Sequence, residues 1–196
     1  MDPNYCGAMA TLTDLAKHLQ LVAVTDEKRG GDPLAAAALL PAGSWVIFRH
    51  YDAPDRSVLA IRLAALCRKR RLKLFIAGDP VLARSVKAGL HLPDWLAARP
   101  SPSIRRWKTL TVAAHDRLGL IRAAKLGAKA ALLSPVFATA SHPGAKPLGL
   151  LAFRRLARGA KLPVIALGGI DRTSVSLLKN APIAGIAAVS GLTPRR

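Results

Sequence analysis

The sequence predicts a closed (β/α)8 barrel, the TIM-barrel architecture, in a single compact domain with a short extra N-terminal helix. Three observations carry this. Short apolar runs rich in Val, Ile and Leu recur eight times along the 196 residues. They are continuous rather than alternating in hydrophobicity, as in strands covered on both faces. Amphipathic stretches separate them, which makes parallel βα units. A doubly wound open sheet is the competing architecture. The count of eight favours the barrel, although the chain is slightly shorter than the usual barrel of about 200 residues or more.

The elements follow in order. Leu12, Leu15 and Leu19 share a helical face, with Thr11 or Thr13 as cap, and predict the extra N-terminal helix. The strands are expected at 21–24, 45–48, 73–76, 89–92, 109–112, 130–133, 164–167 and 186–189. The fourth follows the third so closely that little room remains for a helix between them. Asp116 is placed to cap a helix that presents Leu118, Ile121 and Ala124 on one face and ends before Gly127. Leu150, Phe153 and Leu156 share a face of the next helix, with Arg154, Arg155 and Arg158 turned outward. No linker or low-complexity segment divides the chain.

Composition excludes several classes. Apolar residues make up 51%, too many for a disordered chain. The longest apolar stretches are far too short to cross a bilayer, so no membrane partner is expected. Asp2 and Asp14 stand where a secretory signal would need basic residues, and none is expected. The only cysteines, Cys6 and Cys67, lie far apart without metal-ligand spacing, which fits a reducing cytoplasm.

The net charge is +19. Basic clusters occur at Arg68-Lys69-Arg70-Arg71, at Arg105-Arg106 with Lys108, at Arg154-Arg155 with Arg158, and at Arg195-Arg196. They are scattered over predicted helices and connectors, which reads as solvated faces rather than one nucleic-acid surface. Aromatic residues are only 5%, which leaves little for base stacking and argues against nucleic acid. A positive field of this size also attracts phosphorylated metabolites.

A barrel builds its active site at the carboxyl ends of its strands. The residues expected there are Thr25 and Asp26, Arg49 and His50, Gly78 and Asp79, His91 with Asp94, Ala113 to His115, the loop 134–150, Gly168-Gly169 and Ser190-Gly191. Paired glycines in "ALGGID" and the Ser-Gly of "AAVSGL" follow the last two strands, the usual phosphate site of this fold. His115 is a candidate general acid/base. Arg49 suits a forked contact to an anionic substrate, or a rim ion pair with Asp52 or Asp55. Asp79 and Asp94 could share a Mg²⁺. Equally, one is a turn residue before Pro80 and the other a helix cap.

These residues together resemble the thiamine phosphate synthase family and its TenI-like thiazole tautomerase relatives, over roughly residues 20 to 192. "LVAVTDE", "VIFRHYD", "AGLHLPD", "TVAAHD", "PVIALGGI" and "GIAAVSGL" resemble the family's strand ends. "SPVFATASHPGAKPLGL" resembles its substrate-wrapping loop and is the most specific of the matches. The resemblance implies an enzyme joining hydroxymethylpyrimidine diphosphate to thiazole phosphate with release of pyrophosphate. It implies that Thr139, Ser141, Gly169 and Ser190, with Gly168 and Gly191 beside them, hold the thiazole phosphate. Arg49 would face the pyrophosphate, and His142 stands at the loop's lysine position, with Lys146 four residues on. Mg²⁺ is implied for a synthase and no cofactor for a tautomerase.

The departures fall at the pyrophosphate and metal end. Tyr51 replaces a lysine, Pro93-Asp94 replaces Gly-Gln, and Ala113 replaces a serine. Asp79 aligns with a metal carboxylate only if a gap is placed before it. A tautomerase using His115 is therefore the alternative, and a non-catalytic binder of a phosphorylated metabolite a third reading. Homo-oligomers are plausible among the relatives.

Overall fold

The computed structural model describes residues 19–28, 31–139, 146–171 and 173–189. Eight parallel strands close into a barrel in sequence order: β1 (Gln20–Val24), β2 (Trp45–Phe48), β3 (Lys73–Ala77), β4 (Gly89–Leu92), β5 (Leu110–Ala114), β6 (Ala130–Leu133), β7 (Val164–Leu167) and β8 (Gly185–Ala188). Each strand pairs with its neighbours in sequence, and β8 returns to β1 through Gln20↔Gly185 to Ala23↔Ala188. The expected barrel is thus found, and the open sheet is not. The N-terminal helix expected around Leu12 to Leu19 lies largely outside the described residues.

Between the strands run α1 (Pro33–Ala38), α2 (Arg56–Lys69), α3 (Pro80–Ser85), α4 (Asp94–Ala98), α5 (Pro102–Arg105), α6 (Arg117–Lys125) and α7 (Gly149–Arg158). A 3₁₀ helix, Ser174–Leu178, takes that place between β7 and β8. The tight β3–β4 connection is met by the six-residue α3. There Asp79 accepts the Leu82 amide and Pro80 opens the first turn, a start that loses no amide hydrogen bond.

The alternating faces of the strands divide the core in two. Inward residues, among them Val22, Val24, Ile47, Phe75, Leu132 and Ile165, fill the barrel. Outward residues such as Phe48, Ile76, Leu90 and Leu133 meet Leu63, Leu120 and Phe153 from the helices. The register Ala77↔His91↔Thr111 carries two polar residues into the interior. Small residues make this filling possible. A Cβ at Gly89 would lie 2.6 Å from the Phe75 ring, and one at Gly185 would run into the Gln20 carbonyl.

Two helix faces differ from expectation. In α6 the buried residues are Gly119, Leu120 and Ala123, while Leu118 and Ile121 are exposed. Gly119 is the reason: its missing side chain lets the helix rest against Ala114, where a Cβ would sit 3.1 Å from the strand backbone. In α7 Phe153 is buried as expected. Arg154, however, turns along the protein surface, and its guanidinium donates to the Leu177 and Lys179 carbonyls, both at 3.1 Å. It satisfies carbonyls at the end of the 3₁₀ helix that would otherwise face water.

Gly185→Ala forces the β8–β1 seam apart. It is expected to cost about 1–3 kcal/mol and lower Tm by several degrees in thermal denaturation.

Candidate active site

The carboxyl ends of the strands form a mouth braced by three arginine–aspartate pairs. After β1 and β2, the Arg49 guanidinium meets Asp26 at 3.4 Å. Its partner is Asp26, not Asp52 or Asp55. The Thr25 hydroxyl accepts the Arg49 amide at 3.1 Å and pairs with His50 Nδ1 at 2.9 Å. His50 is buried and stacks on Phe48, and that burial lowers its pKa.

After β3, Arg56 dominates. It comes from the first turn of α2, donates to Asp79 at 2.9 Å and to the Ala77 carbonyl at 2.8 Å, and lies near the rings of Phe48 and Tyr51. The sequence reading missed this residue. One signal was present: a cation in the first turn of a helix opposes the helix dipole and needs another reason to be there. Tyr51 leans over Gly78, whose φ of +71° and crowded Cβ position suit glycine, and partial burial raises the tyrosine pKa.

His91 was expected at the mouth but lies within β4, buried in the barrel, with Nδ1 3.0 Å from the Thr111 hydroxyl. Ala113 likewise belongs to β5, one residue inside its end. Burial pushes the His91 pKa down to about 3, with the Arg49 charge adding to the effect.

His115 does reach the mouth. It follows β5, is exposed, and its Nδ1 lies 2.8 Å from the Ser134 carbonyl. A carbonyl only accepts, so Nδ1 carries the proton and a neutral ring keeps its Nε2 lone pair free.

Gly168 and Gly169 follow β7, with φ of +97° and +65°. The segment after β6 is laid across them: Val136 donates to the Leu167 carbonyl at 3.0 Å and Phe137 to the Gly168 carbonyl at 3.1 Å. Added side chains would meet Pro135 at 2.8 Å and Phe137 at 2.7 Å. The glycine pair is therefore needed for this close approach, a reason the sequence did not disclose. Among the described residues, the Gly168 and Gly169 amides find no acceptor, which leaves two donors for an anion. The next turn is held by Asp171, which accepts the Ser174 amide and the Thr173 and Ser174 hydroxyls; these bonds hold its pKa at about 2.

Thr139 is partly buried near the end of this segment. Ser141, His142, Ser190 and Gly191 lie outside the described residues. Lys146 is exposed.

The two candidate metal ligands are engaged elsewhere. Asp79 gives one oxygen to the Leu82 amide and the other to Arg56, both at 2.9 Å. Asp94 stands in the first turn of α4 and is held by Arg122 at 2.6 Å. Mg²⁺ needs a near-octahedral set of free oxygens. Among the described residues no group of three His, Cys, Asp or Glu side chains converges; an ion here would draw its remaining ligands from substrate phosphates and water.

A closed barrel with arginines and open glycine amides at its carboxyl end is of the class that handles phosphorylated metabolites. The chain belongs to the thiamine monophosphate synthase family, whose model matches residues 21–192. It is 32% identical over 180 residues to a thiamine-phosphate synthase homologue of Aquifex aeolicus, covering 87% of this chain and 96% of that protein. The thiamine-phosphate synthase of Methylococcus capsulatus is 30% identical, over 88% of this chain and 81% of its own. Among solved structures, the thiamine phosphate pyrophosphorylase of Pyrococcus furiosus superposes with a TM-score of 0.73 at 23% identity, covering 88% and 86% of the two chains, and supports the fold. The chain is thus an enzyme of this transferase family, in thiamine biosynthesis.

Two outcomes follow from the geometry. His91 is neutral when folded but titrates near 6.5 when unfolded, so its contribution is complete above about pH 6.5 and is lost as pH falls toward 3. Tm should fall through that window, with a shallower slope in His91→Gln. Arg56→Met leaves Asp79 half-buried without its partner and should cost about 1–3 kcal/mol in chemical denaturation. Arg56→Lys should restore little, because one ammonium does not span the carboxylate and the carbonyl as the fork does.

Proposed function

We propose that this chain couples a hydroxymethylpyrimidine diphosphate to a thiazole phosphate, with its mouth acting mainly through fixed positive charge. The observation that carries the reading is the pair of amides at Gly168 and Gly169, beneath the 134–139 segment, that find no acceptor among the described residues. They hold the thiazole phosphate, with Thr139, Ser141, Ser190 and Gly191 as the further contacts. In the reaction the pyrimidine methylene–oxygen bond breaks and pyrophosphate leaves with the electron pair. The thiazole nitrogen lone pair then closes on the resulting cation. Arg49, a quarter exposed and already seated against Asp26, faces the departing charge from β2, with His142 from the loop. Such preorganised cations stabilise developing negative charge without reorganisation. Arg56 and Arg122 keep Asp79 and Asp94 neutralised, which lowers their repulsion of the pyrophosphate.

A second reading rests on His115. Its exposed ring, with Nδ1 tied to Ser134 and Nε2 free, is arranged for proton transfer on a thiazole phosphate. That is the tautomerase alternative.

We assign the reaction to the cytoplasm, supported by the free, buried Cys67. Among the described residues no helix is long and apolar enough to cross a membrane.

The test incubates the protein with both substrates, with and without Mg²⁺, and follows thiamine phosphate by mass. Product that falls at least tenfold in Arg49→Ala supports the coupling. No product under either condition, with thiazole phosphate still binding, overturns it. Turnover of the thiazole phosphate alone, lost in His115→Ala while binding is kept, establishes the alternative.

A further inference from the structure

All nine acidic residues among those described lie on the mouth side of the barrel: Asp26, Glu27, Asp32, Asp52, Asp55, Asp79, Asp94, Asp116 and Asp171 each follow a strand or open a helix. The opposite face, where helices end and strands begin, has none among the described residues. Cations fill its last helical turns and connectors, including Arg70, Arg71, Arg106, Lys108 and Lys161. Helix dipoles favour this polarity at the helix ends themselves. They do not account for the recess that this face contains.

At the base of β2 to β6 lies a cavity of about 390 Å³, lined by Trp45, Arg68, Lys73, Lys87, Thr109 and Lys129 among others, with no carboxylate in its wall. That volume is in the range of ordinary small-molecule sites. A neighbouring recess of about 430 Å³ shares Ala88 and Thr109 with it and adds Arg106 and Lys108. None of the four cations lining the first cavity is in an ion pair among the described residues.

Two further features border the cavity. The indole N–H of Trp45 is buried behind the wall without a hydrogen-bond partner among the described residues, out of reach of anything in the cavity. Lys87 ends α3 with φ of +57°, where glycine is the unstrained residue. Gly127 fills the equivalent place after α6, at +69°. Arg71, outside the cavity wall, takes the same region after α2 at +56°, so this conformation is a helix-end feature and not peculiar to the cavity.

We propose that this basal cavity is a second anion site, distinct from the mouth, and that it takes a linear oligophosphate, free or carried by a nucleotide. The lysines and arginine of the lining and the Thr109 hydroxyl offer donors to phosphate oxygens. The aromatic residues of the wall, Trp45 and Phe75, are buried against each other with ring centroids 5.0 Å apart, and Trp107 in the adjoining recess lies under the Arg84 guanidinium at 4.8 Å. This favours a compact phosphate chain over single-stranded nucleic acid, which needs stacking platforms.

The experiment titrates inorganic triphosphate into the protein by calorimetry, without divalent metal, at two salt concentrations. Lys73→Gln/Lys129→Gln should raise Kd at least tenfold and leave the coupling activity unchanged. Lys87→Gly should also weaken binding while raising Tm by roughly 2–4 °C, because glycine relieves the backbone. A purely structural Lys87 would show the second effect alone. Binding unchanged in both basal variants, or abolished by Arg49→Ala, overturns the proposal. So does a twenty-nucleotide single strand that binds tighter than triphosphate and loses affinity in the same variants. ATP binding as well as triphosphate identifies a nucleotide source, and ATP failing to bind a free oligophosphate; either supports the site.

Discussion

The barrel depends on one close contact. β8 can return to β1 only where Gly185 passes the Gln20 carbonyl, a place that leaves no room for a side chain. Once that seam is made, every backbone group of the sheet has a neighbour on both sides, and no edge remains for another chain to add to. Closure also gives all eight strands one direction. The functional residues after each strand, far apart in sequence, then arrive at one mouth.

The same direction sets the electrostatics. Helices return from the mouth to the base, so acidic caps such as Asp32, Asp79 and Asp116 gather at one end. Lysines and arginines of the last turns gather at the other. A net charge that looks diffuse along the chain is therefore polarised in space. At the mouth, three carboxylates are matched by guanidiniums from other βα units: Asp26 by Arg49, Asp79 by Arg56 and Asp94 by Arg122. These pairs are partly exposed and contribute modestly to stability. Their larger effect is to set which charges face a substrate.

The segment after β6 shows how packing and function share residues. Gly168 and Gly169 are glycines because the 134–139 segment rests on them, and among the described residues their amides find no acceptor. One sequence feature thus serves a packing need and, in the proposed function, the thiazole phosphate site. Substituting either glycine disturbs both together, so the two roles cannot be separated by mutation there.

Much of the architecture was legible from the sequence. Strands 45–48, 89–92, 130–133 and 164–167 lie where hydrophobic continuity placed them, because a strand buried on both faces has no polar residue to blur its ends. The α6 face was misread, since periodicity reports where apolar residues fall and not which side has room; Gly119 decided that against Ala114. The strand-end rule located Arg49, His115 and the glycine pair. It could not find Arg56, which acts across from a helix, nor show that His91 points into the barrel. By itself the sequence determined the barrel, the family and the residues at the strand ends, because these follow from local pattern and order. Only the tertiary structure decided the charge pairing of the mouth, the buried state of His91 and the basal cavity. Each of these depends on distances between units far apart in the chain, and no local pattern encodes such distances.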